Sequence, residues 1–202
     1  IIDLYRERIL DLFDEADSPP PLRVRQTPSV GVYIENLIKK QITSEDDCKQ
    51  AVKEALRRKN NEQTRMGCRS SRYHIVVIYN IERLDTEGNV ISSSSITLVK
   101  LAGSETTIMN TFVITEAKAL HASSRNLIRC TEAILNRNKF VPYRDSVLTR
   151  ILQSSLKEKN VSWIFSVSPH SNKECAHDAL AFASNIASLS RQQIAHVKSA
   201  AN

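Results

Sequence analysis

Val141-Pro142-Tyr143-Arg144-Asp145-Ser146-Val147-Leu148-Thr149-Arg150-Ile151-Leu152 is the run on which the reading of this sequence turns. It passes a proline and enters a helical pattern that carries from Val147 to Leu156. Just upstream, Glu116 to Leu135 has the same periodicity. Downstream, Trp163-Ile164-Phe165-Ser166-Val167 predicts a buried strand with Trp163 as a core side chain, and Glu174 to about Val197 predicts a long closing helix. Further out, Ile1 to Phe13 reads as a strand ending in a short helical turn, and Pro19-Pro20-Pro21 then breaks the chain. Leu22 to Arg25 and Val30 to Ile34 predict a small hairpin around Thr27-Pro28-Ser29. Ser44 with Asp47 makes a capping box, Asp standing for the usual Glu, and opens a helix that Asn60-Asn61 should end; Glu62 to Arg72 follows as a polar loop. Ile75 to Tyr79 and Ile96 to Leu101 predict neighbouring strands about a turn at Thr86-Glu87-Gly88-Asn89, with Ser92 to Ser95 in a solvated hairpin arm. Strands and helices mix without an internal repeat or a long linker, which predicts one layered α/β domain over residues 1–202.

The opening run is close to one characteristic of kinesin motor domains, and other segments fall in the order that family has. They are Leu4-Tyr5-Arg6-Glu7-Arg8-Ile9, Ser70-Ser71-Arg72-Tyr73-His74, Leu98-Val99-Lys100-Leu101-Ala102-Gly103-Ser104-Glu105, and Val167-Ser168-Pro169. Together they span nearly the whole chain and resemble the later portion of the motor domain. The resemblance implies a three-layer α/β fold of the P-loop NTPase motor type, a mixed central sheet flanked by helices. It also implies an incomplete domain, because the earlier portion with the phosphate loop has no counterpart here. The chain starts on Ile1 rather than Met, and upstream sequence is expected.

P-loop hydrolysis needs a Gly-rich loop with Lys around the phosphates, a hydroxyl and a carboxylate to hold Mg²⁺, and groups that position water. The glycines at 31, 67, 88 and 103 are followed by Val, Cys, Asn and Ser, so no Gly-Lys pair exists. The family's first switch, N-x-x-S-S-R-S-H, corresponds to Gly67 through His74. Ser70 and Ser71 survive as nucleotide-binding remnants, Gly67 replaces Asn, and Tyr73 puts a ring where a small hydroxyl would face the nucleotide. In the second switch Lys100 stands for the Asp that would hold the metal, and an ammonium there repels Mg²⁺. Gly103 and the pair Arg72 with Glu105 are retained, and that pair would also make a plain ion pair that holds two loops together. The resemblance implies ATP and Mg²⁺ for the family and no cofactor for this chain alone. Of the family's helix opening after the second switch, only Ser123 matches by identity, which puts nucleotide coupling to that helix in doubt.

The formal charge is +6 and the pI near 9.2, which favours an acidic partner. Arg125, Arg129, Arg137, Lys139, Tyr143, Arg144, Arg150, Lys157 and Lys159 lie where the family has its microtubule-binding helices and connecting loop. The resemblance thus implies a microtubule-associated, cytoplasmic module that binds tubulin; the alternatives are a solvated basic surface, or an ATP-driven motor with its phosphate loop upstream. Aromatics at 5% are too few for a base-stacking platform, which disfavours nucleic acid. No run reaches the roughly 18 apolar residues needed to cross a bilayer. Cys48, Cys68, Cys130 and Cys175 show no C-x-x-C spacing, and His170, Cys175 and His177 match no zinc pattern, so no metal site is expected. A reducing, intracellular compartment fits. A chain missing its earlier strands should expose sheet edges and fold with an upstream segment, a second chain or the filament surface.

Overall fold

A computed structural model describes residues 1–16, 19–66, 73–103, 111–158, 161–167, 173, 176–177, 179–184 and 186–187, with the side chains of 62–66 and 111–121 left aside. These form two compact units, one of residues 1–23 and 34–102, the other of residues 24–33 and 103–202.

The first unit is built on a four-stranded sheet in the order β2-β1-β5-β6, its pairs all antiparallel. β1 is Ile2–Tyr5, β2 Arg8–Asp11, β5 His74–Leu84 and β6 Val90–Lys100. The opening segment is therefore a hairpin, not a strand ending in a helical turn. Its two-residue turn is Arg6 and Glu7, both with positive φ (47° and 62°). The spacing of Ile9, Leu12 and Phe13 reflects a different device: the Asp11 carboxylate accepts the amides of Phe13 (2.9 Å) and Ile38 (2.8 Å), bending the chain after β2. The β5–β6 hairpin runs longer than its apolar runs predict, from His74 to Lys100, and Ser92 to Ser95 lie in its solvated arm. Its loop closes on Asp85, whose carboxylate accepts the amides of Glu87 and Asn89, with Gly88 at φ 86°.

Helix α1, Glu45–Met66, begins as expected at Ser44, whose hydroxyl accepts the Asp47 amide at 3.1 Å. The Asp47 carboxylate turns to the Thr43 amide and hydroxyl. The helix does not stop at Asn60-Asn61 but runs on to Met66. Asn costs a helix only about 0.6 kcal/mol relative to Ala, too little to end one that is anchored along its face. The anchors are Ala51 and Ala55, both buried, the Cys48 sulfur 3.8 Å from the Tyr79 hydroxyl, and Lys59 3.4 Å from Asp3. α1 thus covers the sheet face that carries Asp3, Ile75, Val77 and Tyr79, while Ile2, Leu4, His74 and Val76 point the other way.

Between these elements a two-stranded ribbon forms as predicted, β3 (Arg23–Thr27) with β4 (Gly31–Glu35), turning at Thr27 to Val30 with Gly31 at φ 78°. The second unit is helical: α2 (Thr111–Leu135), a 3-10 turn (Tyr143–Asp145), α3 (Val147–Ile151) and α4 (Gln153–Lys157). The single helix expected over Val147 to Leu156 is two short ones, since Leu152 has ψ −1° and its amide is shared between the Arg150 and Leu148 carbonyls. Leu127, Cys130 and Ala133 of α2 meet Tyr143, Leu148, Leu152 and Leu156 in one core. The segment 161–167 has no regular secondary structure and forms no strand pairing among the described residues. Instead Trp163 and Phe165 turn one face to Phe182 (ring centroids 5.4 and 5.5 Å), leaving Ile164 95% exposed; Trp163 is half-buried. A strand buried on both faces needs neighbours at both edges, and the described residues supply none. The closing segment is helical at its described positions between 173 and 187; the rest of the helix predicted to Val197 lies outside the described residues.

Candidate functional site

The initial run is explained almost residue by residue as framework. Pro142, Tyr143, Ser146, Leu148, Thr149 and Leu152 are buried. The Ser146 hydroxyl caps α3 by accepting the Thr149 amide at 3.1 Å, and the Thr149 hydroxyl, fully buried, reaches the Tyr143 carbonyl at 2.8 Å. From α2, the Asn126 amide donates to the Asp145 carbonyl (2.9 Å) and Arg129 to the Asp145 carboxylate (3.2 Å). Arg150 donates at 2.8 Å to the Val24 carbonyl. Burial pushes the Tyr143 phenol up, with Lys157 over its ring at 5.6 Å, and pushes the Cys130 thiol up to about 11.

The cations expected to face a partner therefore separate. Arg125, Arg129, Arg137, Lys139, Arg144 and Lys157 are exposed; Arg150 is half-buried and holds the β3 backbone, and Tyr143 is buried. Lys159 lies outside the described residues. The exposure follows from amphipathicity: Leu127, Cys130 and Ala133 take α2's inner stripe, leaving Arg125 and Arg129 outward. Beyond Leu135, α2 closes with the Asn138 amide on the Ala133 carbonyl (2.8 Å) and the Arg137 amide on that of Ile134 (3.1 Å). This is a Schellman closure with Arg137 at the left-handed position, φ 56°, where glycine is usual. The residues 136–140 that follow are all exposed, Phe140 to 76%. Sequence reading passed over Phe140 because, next to Val141, it reads as the start of an apolar run; its place between a helix end and Pro142 was the available signal.

In the first unit, Lys100 ends β6 in the open, opposite Ile75 and on the face that carries Asp3. Asp3 and Lys59 form a buried ion pair that no motif announced. Burial raises the Asp3 carboxyl and lowers the Lys59 ammonium, each opposed by the partner's charge; Lys100 helps hold Asp3 ionised and works against Lys59. Lys59 also sits over the Tyr73 ring at 5.7 Å. Tyr73 is buried and stacks on Tyr5 at 4.7 Å. His74 Nδ1 accepts the Ala102 amide at 3.0 Å, and burial, then the Lys100 charge, lowers its pKa to about 4. The ring is neutral and ties β5 to the chain just before Gly103, itself half-buried.

Of the nucleotide-binding remnants, Ser70, Ser71, Arg72 and Glu105 lie outside the described residues, as do His170 and Cys175. Among the described residues, Lys100 brings a cation to the second-switch position, and the nearby carboxylate, Asp3, is committed to Lys59. Among the described glycines, the two with positive φ, Gly31 and Gly88, serve hairpin turns.

No helix among the described residues is long and apolar enough to cross a membrane. The kinesin motor domain family matches residues 1–189. Kinesin-related protein 5 of Dictyostelium discoideum is 32% identical over 176 residues, 85% of this chain and 18% of that protein. The kinesin heavy chain of Syncephalastrum racemosum is 32% identical over 182 residues, 86% of this chain and 19% of that protein. A solved structure described as that of a fast kinesin, with implications for ATPase mechanism and interactions with microtubules, superposes with a TM-score of 0.67. It is 31% identical, covering 76% of this chain and 44% of that one. The chain spans about a fifth of the length of those two relatives. With its α/β fold and a match running through nearly all of its length, the chain belongs to the kinesin motor domain family.

Proposed function

We propose that this chain is a kinesin-type microtubule-binding module, acting in the cytoplasm on the cytoskeleton, that does not hydrolyse ATP by itself. The observation that carries the reading is the set of exposed cations on α2 and beyond it, Arg125, Arg129, Arg137, Lys139 and Arg144, held on a framework of buried hydrogen bonds. An acidic filament is the partner that such a face attracts, through summed long-range charge. The ATPase half of the proposal rests on Lys100. Its ammonium stands where metal chemistry needs a carboxylate, and the sequence has no Gly-Lys pair to hold phosphates.

A second reading is an ATP-driven motor whose phosphate loop lies upstream of Ile1. It is favoured by the chain's covering only 44% of the solved kinesin chain. In either case the open edge at β6 would be covered by an upstream segment, a second chain or the filament surface. Microtubule co-sedimentation over a salt series, with and without ATP and a non-hydrolysable analogue, tests both while phosphate release is followed. Salt-sensitive pelleting that ignores nucleotide and releases no phosphate supports the binding module. Nucleotide-dependent pelleting with hydrolysis supports the motor and sinks the first reading.

A further inference from the structure

We propose that β6 is a self-pairing edge, through which two copies of this chain join their sheets in an antiparallel dimer with its two-fold axis at Thr97. The inference is independent of the microtubule-binding reading. β6 is the outer strand of the four-stranded sheet. Its ladder with β5 is regular from Ser92, opposite Arg83, to Lys100, opposite Ile75. The slip between Arg83 and Leu84 falls beyond that stretch and leaves Ile91 without a counterpart. Edge strands that stay single carry charges, proline or a bulge along their length. From Ser92 to Val99 β6 has none of these, and Ile96 and Leu98 are about half exposed on it.

The register follows from the pleat. In an antiparallel pair, two opposed residues both turn their amide and carbonyl toward the neighbouring strand or both turn them away. Along one strand that orientation alternates. A strand paired with its own copy therefore opposes residues an even number apart, and the two-fold axis passes through a residue. A centre at Thr97 sets Ile96 of each copy against Leu98 of the other. Both side chains stand on the face that carries Tyr79 and Val77, which they oppose within their own chain. The four side chains then form one apolar cluster across the seam, while on the other face Thr97 meets its own copy and Ser95 meets Val99. A centre at Ile96 would set Leu98 against Ser94, and one at Leu98 would set Ile96 against Lys100, so each neighbouring register gives up the apolar match. With Thr97 at the centre, Lys100 lies opposite Ser94. The two copies of Lys100 are then about 20 Å apart along the seam, beyond the range of screened repulsion.

The test is the oligomeric state of the 202-residue chain by sedimentation over a concentration series, comparing the unaltered protein with Leu98→Lys and Ile96→Lys. The unaltered protein should be a dimer at tens of micromolar. Either substitution should raise the dissociation constant at least tenfold, because each dimer loses the apolar match twice over and gains two ammonium groups at one seam. The register is read separately with Thr97→Cys and Ser95→Cys under mild oxidation, against the native thiols of the parent as background. Thr97→Cys should cross-link to a covalent dimer, since a residue on the axis sits roughly 5 Å from its own copy. Ser95→Cys should stay at the parent's background, because its two copies lie four residues apart along the seam, about 13 Å. A chain that is monomeric at every concentration overturns the proposal, as does association that both lysine substitutions leave unchanged. Cross-linking of Ser95→Cys as fast as that of Thr97→Cys overturns the register and the self-pairing with it.

Discussion

Asp3 and Lys59, both almost wholly removed from solvent, illustrate how a buried pair differs from a surface one. Their attraction offsets a desolvation cost that has already been incurred, so deleting one member strands the other. Asp3→Ala should lower stability by about 3–5 kcal/mol, whereas Asp3→Leu with Lys59→Met should lose much less, both read from urea midpoints. A larger loss in the double variant would mean that the pair is worth more than hydrophobic packing. His74 makes a pH-dependent contribution of definite sign. Its folded pKa of about 4 lies below the ordinary 6.5, so the unfolded chain takes up a proton first. The neutral imidazole's contribution is complete above pH 6.5 and declines as pH falls toward 4, by up to about 3 kcal/mol in all. His74→Asn, which keeps an acceptor for the Ala102 amide without a titrating ring, should flatten urea midpoints over that window; an unchanged slope would place the acid sensitivity elsewhere. Neither the ion pair nor the imidazole contact was legible in the sequence, because each joins residues distant along the chain.

At the scale of elements, legibility followed turn chemistry. The ribbon about Thr27-Pro28-Ser29 and the hairpin closing at Gly88 were readable because proline and glycine announce the dihedral angles required. The β1–β2 hairpin was not, since Arg6 and Glu7 occupy left-handed positions that Asn-Gly ordinarily fills. Replacing them with Asn-Gly should therefore raise stability by about 1–2 kcal/mol, seen as a higher melting temperature. Arg137 offers the same relief with a different consequence. Arg137→Gly should stabilise the end of α2 by about 1 kcal/mol while weakening microtubule pelleting, because it removes both strain and a charge from the loop. Stabilisation with undiminished pelleting would detach Arg137 from the binding face. The motif Val141 to Leu152 was readable as family membership but not as a binding surface: the spacing that identifies it is fixed by capping and burial, and Arg144 is the basic side chain in it left exposed. The second-switch run gave Lys100 by position, but the stacking of Tyr73 on Tyr5 was not legible, because it joins residues far apart along the chain.

For the molecule as a whole, the main question is what covers β6. It stands at the sheet edge with Ile96, Leu98, Val90 and Ile91 each at least half exposed, and Ile164 is open on the segment 161–167. Long edge strands bearing apolar side chains are templates for unwanted pairing. The 202-residue chain by itself should scatter light on warming and melt broadly, and Leu98→Lys should suppress the scattering. A sharp, concentration-independent melt of the isolated chain would argue that no further segment is needed. The aromatic trio beside that open segment has an optical use. Trp163 is the single tryptophan, and it lies in the second unit against Phe165 and Phe182. Its emission therefore reports on one unit alone, whereas far-ultraviolet circular dichroism sums both. Coincident transitions by the two signals would identify one cooperative block, and a lag between them would show that the two units come apart in sequence.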